Sequence, residues 1–246
     1  MILNDSIQLY HGDCLEIMKD IPDKSVDMIL CDLPYGTTKN RWDVIIPFEP
    51  LWKQYNRIIK DNGAIVLFSQ TPFDKILGSS NIDMLRYEWI WDKKIPAGHL
   101  NAKKIPMKRH ENILVFYKKA PTYNPQFTDG KPYNRGYHTV PSENYGKQRA
   151  VLNANLTGKR YPVSIIEFSN ANRKNKLHPT QKPVLLLEYL IKTYTNENEI
   201  VLDNCMGSGS TGVACINTNR KFIGVELDDK YFEIAKERIE NTYKNI

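Results

Sequence analysis

Cysteine is scarce in this sequence. Four residues in 246, Cys14, Cys31, Cys205 and Cys215, include no Cys-x-x-Cys pair and none that follows a proline. So few thiols cannot build a disulfide scaffold, and their spacing offers no zinc site, so reduced and mostly buried cysteines are expected. Long apolar runs are missing too: none approaches the roughly 18 residues of a membrane-spanning helix. The opening Met1-Ile-Leu-Asn-Asp5 has neither the basic start nor the apolar core of a secretory signal. Repeats and low-complexity tracts are absent. A soluble, cytoplasmic chain with no membrane partner and no metal is therefore expected. Disorder is excluded for most of its length, because 41% hydrophobic and 11% aromatic residues supply enough apolar surface to offset chain entropy.

Charge of one sign is unevenly placed. The net charge of +6 conceals a segment from Asp92 to Asn175 with sixteen Lys/Arg and five acids, a local balance of +11 between flanks that together carry −5. Such a concentration points to a polyanionic partner.

Strand-like and helix-like patterns alternate, as in an α/β fold. Ser6 to Tyr10 reads as a short strand, Cys14 to Ile21 as a helix, and Ser25 to Cys31 as an apolar strand ending at Asp32. Pro47 to Lys60 has helical spacing, with Asp61-Asn62-Gly63 as its stop. Ala64 to Ser69 is apolar throughout, as expected of a parallel strand buried on both faces. Tyr87 to Trp91 and Glu111 to Tyr117 read as strands separated by a long basic loop. From Lys118 to Lys176 the pattern dissolves into Pro, Gly, Asn, Tyr and basic residues, which suggests an inserted region. Helix then resumes from Lys182-Pro183 to Thr193, followed by strand 199–202, helix 210–217, strand 221–226 and helix 230–243.

Two motifs carry chemistry. Gly207-Ser-Gly209-Ser-Thr-Gly212 follows a strand and opens a helix, and Glu226 ends the next strand 19 residues after Gly207. Alone, this is a dinucleotide-binding pattern, or a glycine turn needed only for tight strand–helix packing. Asp203 at the strand end argues against a pyrophosphate, which it would repel. A cationic ligand with an adenosine end suits both acids, Asp203 for the charged amino-acid end and Glu226 for the ribose diol; S-adenosylmethionine is such a ligand. The second motif, Asp32-Leu-Pro34-Tyr35, also follows a buried strand. An exocyclic amino group on a nucleobase is a poor nucleophile, because its lone pair is delocalised into the ring. The Asp32 carboxylate and Pro34 carbonyl could accept its two N–H protons and aim the lone pair at a methyl group. Tyr35 could stack on the base. Read by itself, the motif is a strand-ending turn.

In this order the motifs resemble the permuted β group of amino-methylating DNA methyltransferases. The resemblance rests on Asp32-Leu-Pro-Tyr35, the basic middle, His178-Pro-Thr-Gln-Lys-Pro183 and Asp203-Asn-Cys-Met-Gly-Ser-Gly209. It implies a Rossmann-like, seven-stranded, mostly parallel sheet, with residues 1–117 as its catalytic half and 177–246 as its cofactor half. Residues 118–176 would be an inserted target-recognition region. It further implies catalytic roles for Asp32, Pro34 and Tyr35. Asp13, Asp32, His178, Thr180, Lys182, Asp203, Gly207, Ser208, Gly209 and Glu226 would bind S-adenosylmethionine. The spelling of the Asp32 motif favours adenine N6 over cytosine N4. Double-stranded DNA is the expected partner, and a homodimer and a cognate restriction endonuclease are further partners the resemblance brings.

Leu33 stands where many members have proline, and Asn204-Cys205 where Pro-Phe is usual. Cytosine-C5 chemistry is excluded, since it needs a cysteine nucleophile, usually after proline. A nicotinamide dehydrogenase would leave Asp32-Leu-Pro-Tyr35 and the +11 segment unexplained. A non-catalytic nucleic-acid binder would have no use for an intact Asp32 and glycine turn, while RNA or a protein amide would be rival substrates within the same chemistry.

Overall fold

The first half of the chain lays down the two central strands of the sheet, which are buried because they are apolar on both faces. In chain order it forms β1 (Ile2–Asn4), β2 (Ile7–His11), α1 (Cys14–Ile17) with a 3-10 turn (Met18–Asp20), and β3 (Val26–Cys31). Next come α2 (Phe48–Ile58), β4 (Ile59–Ser69), α3 (Phe73–Ser80), β5 (Leu85–Ala97) and β6 (Lys108–Phe116). The middle carries only short strands, β7 (Thr128–Asp129), β8 (Tyr133–His138), β9 (Val151–Asn155), β10 (Lys159–Arg160) and β11 (Ile165–Glu167). The last stretch gives α4 (Val184–Tyr194), β12 (Ile200–Asp203), α5 (Ser210–Asn217), β13 (Lys221–Glu226) and α6 (Asp229–Lys244). This computed structural model describes residues 2–4, 6–38, 40, 43–138, 150–170 and 181–245, with the backbone alone at 2–4 and 138.

Two compact units result, Met1–Asn124 with Ser164–Ile246, and Pro125–Val163. The larger holds a sheet in the order β1-β2-β13-β12-β3-β4-β6-β5-β11. From β2 through β4 the pairings are parallel, and β6 runs antiparallel to both its neighbours. Seven strands from β2 to β5 make the body of the sheet, and the short β1 and β11 extend its two edges. Side chains alternate between two cores. Met28 and Leu30 of β3 meet α4, α5 and α6 through Leu186, Leu190, Val213 and Ile239. Ile29 and Cys31 meet α1, α2 and α3 through Met18, Leu51, Tyr55, Phe73 and Leu77. Burial on both faces accounts for the unbroken apolar reading of β3 and β4. No helix among the described residues is long and apolar enough to cross a membrane.

Two local expectations are corrected. Asp61-Asn62-Gly63 does not follow the helix as its stop: α2 ends at Ile58, and these residues form an irregular start to β4, where the register with β3 shifts between Val26↔Ile59 and Met28↔Ala64. The basic stretch after Trp91 is not all loop either. It continues as β5 to Ala97 and returns as β6 from Lys108, so that a hairpin rises there.

The smaller unit contains two antiparallel pairs, β7 with β10 and β8 with β9. Phe127 packs on Tyr161 with ring centroids 4.8 Å apart, and the guanidiniums of Arg135 and Arg160 lie over the Tyr133 ring at 5.2 and 5.0 Å.

Candidate active site

The chain reverses its direction of travel across the sheet between β12 and β3. From β12 it moves outward to β13, and from β3 it moves the other way to β4. Loops leaving adjacent strand ends therefore diverge, and in doubly wound sheets ligands bind in that crevice. A cavity of about 500 Å³ occupies it, a volume typical of a small-molecule site. Asp203 closes β12 and Asp32 follows β3, so strand register brings together two motifs about 170 residues apart in the chain.

From the β2-β13-β12 side, the cavity is lined by Asp13, Asp203, Gly207, Ser208 and Glu226. Asp203 is buried; its Oδ2 accepts from Thr211 Oγ1 at 2.6 Å and its Oδ1 from the Cys205 amide at 3.1 Å. Burial pushes its carboxyl up to about 6, and these donors moderate the rise. Glu226 is held at both oxygens by backbone amides, Gly207 N at 2.7 Å and Asp228 N at 2.9 Å, and burial pushes it up as well. Asp13 caps α1 by accepting from Leu15 N at 2.7 Å while also facing the cavity. In the Asn204-Cys205 pair, Asn204 accepts from the buried Tyr55 hydroxyl at 2.5 Å and Cys205 lines the cavity wall.

Gly209 lies between the cavity-lining Ser208 and Ser210. Its φ is +75°, and a β-carbon there would come within 3.1 Å of the Ala235 α-carbon and 3.0 Å of Ile239 on α6. Its requirement is left-handed backbone and close helix packing. Gly209→Ala is expected to lower stability by about 2–3 kcal/mol, combining left-handed strain with overpacking; a urea midpoint equal to that of the wild type would contradict this.

From the β3 side come Asp32, Pro34 and Tyr35. Leu33, between them, is buried in the α1–α3 core, so its position is filled by packing. Tyr35 donates to Asp32 Oδ1 at 2.7 Å and lays one ring face on Phe73, with centroids 5.0 Å apart. The Lys182 ammonium, just before α4, also lies over the Tyr35 ring, 5.9 Å from its centroid. It contacts Asp32 Oδ2 at 2.6 Å and Glu111 Oε2 at 3.3 Å, and Lys93 pairs with Glu111 from β5. Burial pushes the Asp32 carboxyl up, and the Lys182 charge pulls it back. Burial alone would lower Lys182, but Asp32 and Glu111 outweigh it and hold the ammonium above its usual range. Glu111 is likewise held below its usual range, its burial overcome by Lys182 and Lys93.

Lys182, expected at the methionine end of a cofactor, is paired with the Asp32 carboxylate and also lines the cavity. His178 and Thr180, expected at the cofactor, lie outside the described residues. The loop after Tyr35 is tied down by Asp43, which accepts from the amides of Gly36, Thr37 and Thr38 at 2.8, 2.9 and 2.6 Å. Asp43, Glu111, Lys93 and Phe73 escaped the reading of the sequence. For Glu111 there was a signal: it is a charge opening the apolar run Glu111-Asn-Ile-Leu-Val-Phe-Tyr117, where a strand was expected to be buried.

Among the described residues, six carboxylates line the cavity (Asp13, Asp32, Asp43, Glu111, Asp203, Glu226) with two ammoniums, Lys93 and Lys182, both already paired. That excess favours a cationic ligand. A doubly wound sheet with an acid-lined cavity, and with Asp-Leu-Pro-Tyr facing a glycine turn, defines the class of S-adenosylmethionine-dependent methyltransferases. Within it the chain belongs to the DNA methylase family, of N6/N4 type, whose family model matches residues 26–237.

The chain is 30% identical over 253 residues to the Type II methyltransferase M.HpaI of Haemophilus parainfluenzae, covering 96% of this chain and 75% of that protein. It is 28% identical over 258 residues to the DNA adenine methyltransferase YhdJ of Escherichia coli (strain K12), covering 96% and 84%. The crystal structure of the M1.HpyAVI–SAM complex superposes with a TM-score of 0.66 at 30% identity, over 95% of this chain and 98% of that one. PvuII DNA methyltransferase, titled cytosine-N4-specific, shares the fold with a TM-score of 0.66 at 18% identity, over 98% of this chain and 93% of that one.

Proposed function

We propose that the protein transfers a methyl group from S-adenosylmethionine to N6 of adenine in double-stranded DNA, at a specific sequence, after the base has left the helix. The observation that carries this reading is one cavity lined by the Asp203 and Glu226 acids from the β12–β13 side and by the Asp32-Leu-Pro-Tyr35 turn from the β3 side. S-adenosylmethionine supplies an electrophilic methyl on a sulfonium, displaced in one step without a covalent enzyme intermediate. Asp203 offers its charge to the cationic end and Glu226 its carboxylate to the ribose diol, with Gly207 and Ser208 in the turn between them. Asp32 and the Pro34 carbonyl accept the two amino hydrogens of the base, which localises the nitrogen lone pair; the proton released on transfer passes to Asp32 or to water. Tyr35, backed by Phe73, bounds the base.

Adenine is favoured over cytosine by the motif and by the relative named as an adenine enzyme. The smaller unit, with Arg135, Arg160, Lys131 and Lys159 beside an exposed Tyr137, has the composition of a surface that reads DNA. We assign target recognition to it and its flanks within residues 118–176. Asn124 has a different task, tying the chain to the Lys192 and Thr195 carbonyls at the end of α4. Action on DNA fits a cytoplasmic site, and the Type II names of the relatives support a cognate endonuclease and a homodimer as partners.

The test is transfer of tritiated methyl from S-adenosylmethionine to duplex DNA, RNA and protein, with the labelled nucleoside identified. N6-methyladenine is expected; label only in RNA or protein, or N4-methylcytosine, would overturn the assignment. A pH dependence follows from Asp203. Above about 6 its carboxylate is charged and attracts the cofactor; below that it is neutral, and a bound cation would itself draw the titration downward. Cofactor affinity is expected to fall by up to about tenfold per pH unit in the acid range. Asp203→Asn should bind more weakly at pH 8 and lose most of this dependence. Calorimetry from pH 5 to 8 decides; a flat wild-type profile contradicts the role.

A further inference from the structure

The hairpin that joins β5 to β6 grows out of the cavity wall. β5 runs parallel to β4, because β6 lies antiparallel to both, so its carboxyl end projects from the edge where Asp32 and Asp203 lie. Trp91, Lys93 and Glu111 line the cavity at the hairpin's base. Above them the register jumps from Asp92↔His110 to Ala97↔Lys108, a bulge that bends the strand. Asp92 fixes this bend: it accepts from the amide of Lys94, a residue at φ +65°, at 2.8 Å, and from Arg109 Nε and Nη2 at 2.8 and 2.7 Å.

The tip is ordered too. Gly98, at φ +95° with open space around its α-carbon, turns the chain into a 3-10 turn (His99–Asn101). The amides of Lys104 and Ile105 then close on the Asn101 carbonyl at 2.9 and 3.0 Å. On this framework Leu100 is 101% exposed, with Ile105 half-exposed nearby. Single exposed apolar residues are common. This one crowns a stretch, residues 93–110, that holds Lys93, Lys94, Lys103, Lys104, Lys108 and Arg109 and no acid. A second copy of this basic chain would be repelled from it; a polyanion would not.

We propose that Leu100 is an apolar wedge that enters duplex DNA beside the target adenine and fills the space the extruded base leaves, while Lys103, Lys104 and Lys108 hold the adjoining phosphates. Apolar side chains inserted between base steps are an established way to stabilise unstacked DNA. Extrusion costs a few kcal/mol that such filling offsets. The inference rests on the methyltransferase reading above.

The experiment uses a synthetic duplex bearing the site defined by sequencing the protein's own product, with 2-aminopurine in place of the target adenine. Wild type, Leu100→Ala and Leu100→Met are compared for binding by anisotropy, for 2-aminopurine fluorescence, and for kcat on the unmodified duplex. Leu100→Ala should bind within about threefold of wild type yet lose at least about fivefold in the fluorescence rise and in kcat, with Leu100→Met restoring most of both. Fluorescence and kcat equal to wild type would overturn the wedge. So would a loss of binding in parallel with both, or a loss that Leu100→Met fails to restore. A wild type that methylates no DNA would instead overturn the proposed function, before any wedge variant is read.

Discussion

Asp32→Ala is expected to lower methyl transfer by about 10³-fold or more, the scale for removing a group that orients and polarises the reacting atoms. Three features argue for an effect that large. Asp32 lies at the junction of β3 with the cavity, its carboxylate is the side-chain acceptor of the proposed amino-group pair, and both its oxygens are already oriented by Tyr35 and Lys182. Cofactor binding should change far less, because the Asp203–Glu226 side is built from β12, β13 and the glycine turn. Calorimetry with S-adenosylmethionine and a urea midpoint separate lost chemistry from lost fold. A variant that is folded, binds cofactor and transfers methyl at more than a tenth of the wild-type rate would contradict the role of Asp32.

The second large effect is expected at Lys182. Its ammonium is buried between Asp32 and Glu111, so Lys182→Met removes the charge that counters the burial of Asp32. The sign follows directly. Burial raises the Asp32 carboxyl and Lys182 lowers it, so without Lys182 the carboxyl takes up a proton at higher pH and stops accepting from the amino group. Activity should drop by about 10²-fold at pH 7, and the loss should narrow as pH rises and Asp32 ionises again. The acid limb of the kcat/KM profile should therefore move to higher pH. A purely structural lysine would give a loss independent of pH, and that result would remove the electrostatic role. Glu111 and Lys93 extend the network, and because the Glu111 charge raises Asp32 where Lys182 lowers it, Glu111→Gln should move the same limb the other way, to lower pH.

Much of this site was legible in the sequence because its two motifs end strands whose burial is written in unbroken apolar runs. Ser25 to Cys31 marked the strand before Asp32, and Ile200 to Leu202 the one before Asp203. What the sequence withheld is what depends on contacts between distant strands. Glu111 and Lys93 lie on neighbouring antiparallel strands, and Lys182 approaches them from the start of α4, so no local spacing links the three. The pairing of Lys182 with Asp32 and Glu111 was hidden for the same reason: a motif fixes where the side chain starts, and the fold decides which carboxylates it reaches. Gly209 shows the converse. A glycine in a cofactor-type pattern is required here by the backbone of α6 at 3.1 Å, which was the packing alternative open from the outset. The β5–β6 hairpin was read as loop because Lys94, Pro96 and Gly98 interrupt any strand pattern; the bulge held by Asp92 and Arg109 absorbs those interruptions.

The placement of charge joins these parts. The +11 middle of the chain includes both the hairpin tip and the smaller unit, while carboxylates dominate the cavity. Cations face a polyanion and acids face a cationic cofactor, and the modest net charge of +6 hides both.

The central claim is tested most directly by methylation-sensitive sequencing of DNA from cells that lack endogenous amino-methylation and express either the wild type or Asp32→Ala. The account predicts N6-methyladenine at one short recurring sequence with the wild type and none with the variant. Unmodified DNA with a folded, expressed wild type, or the same modification with Asp32→Ala, would contradict it.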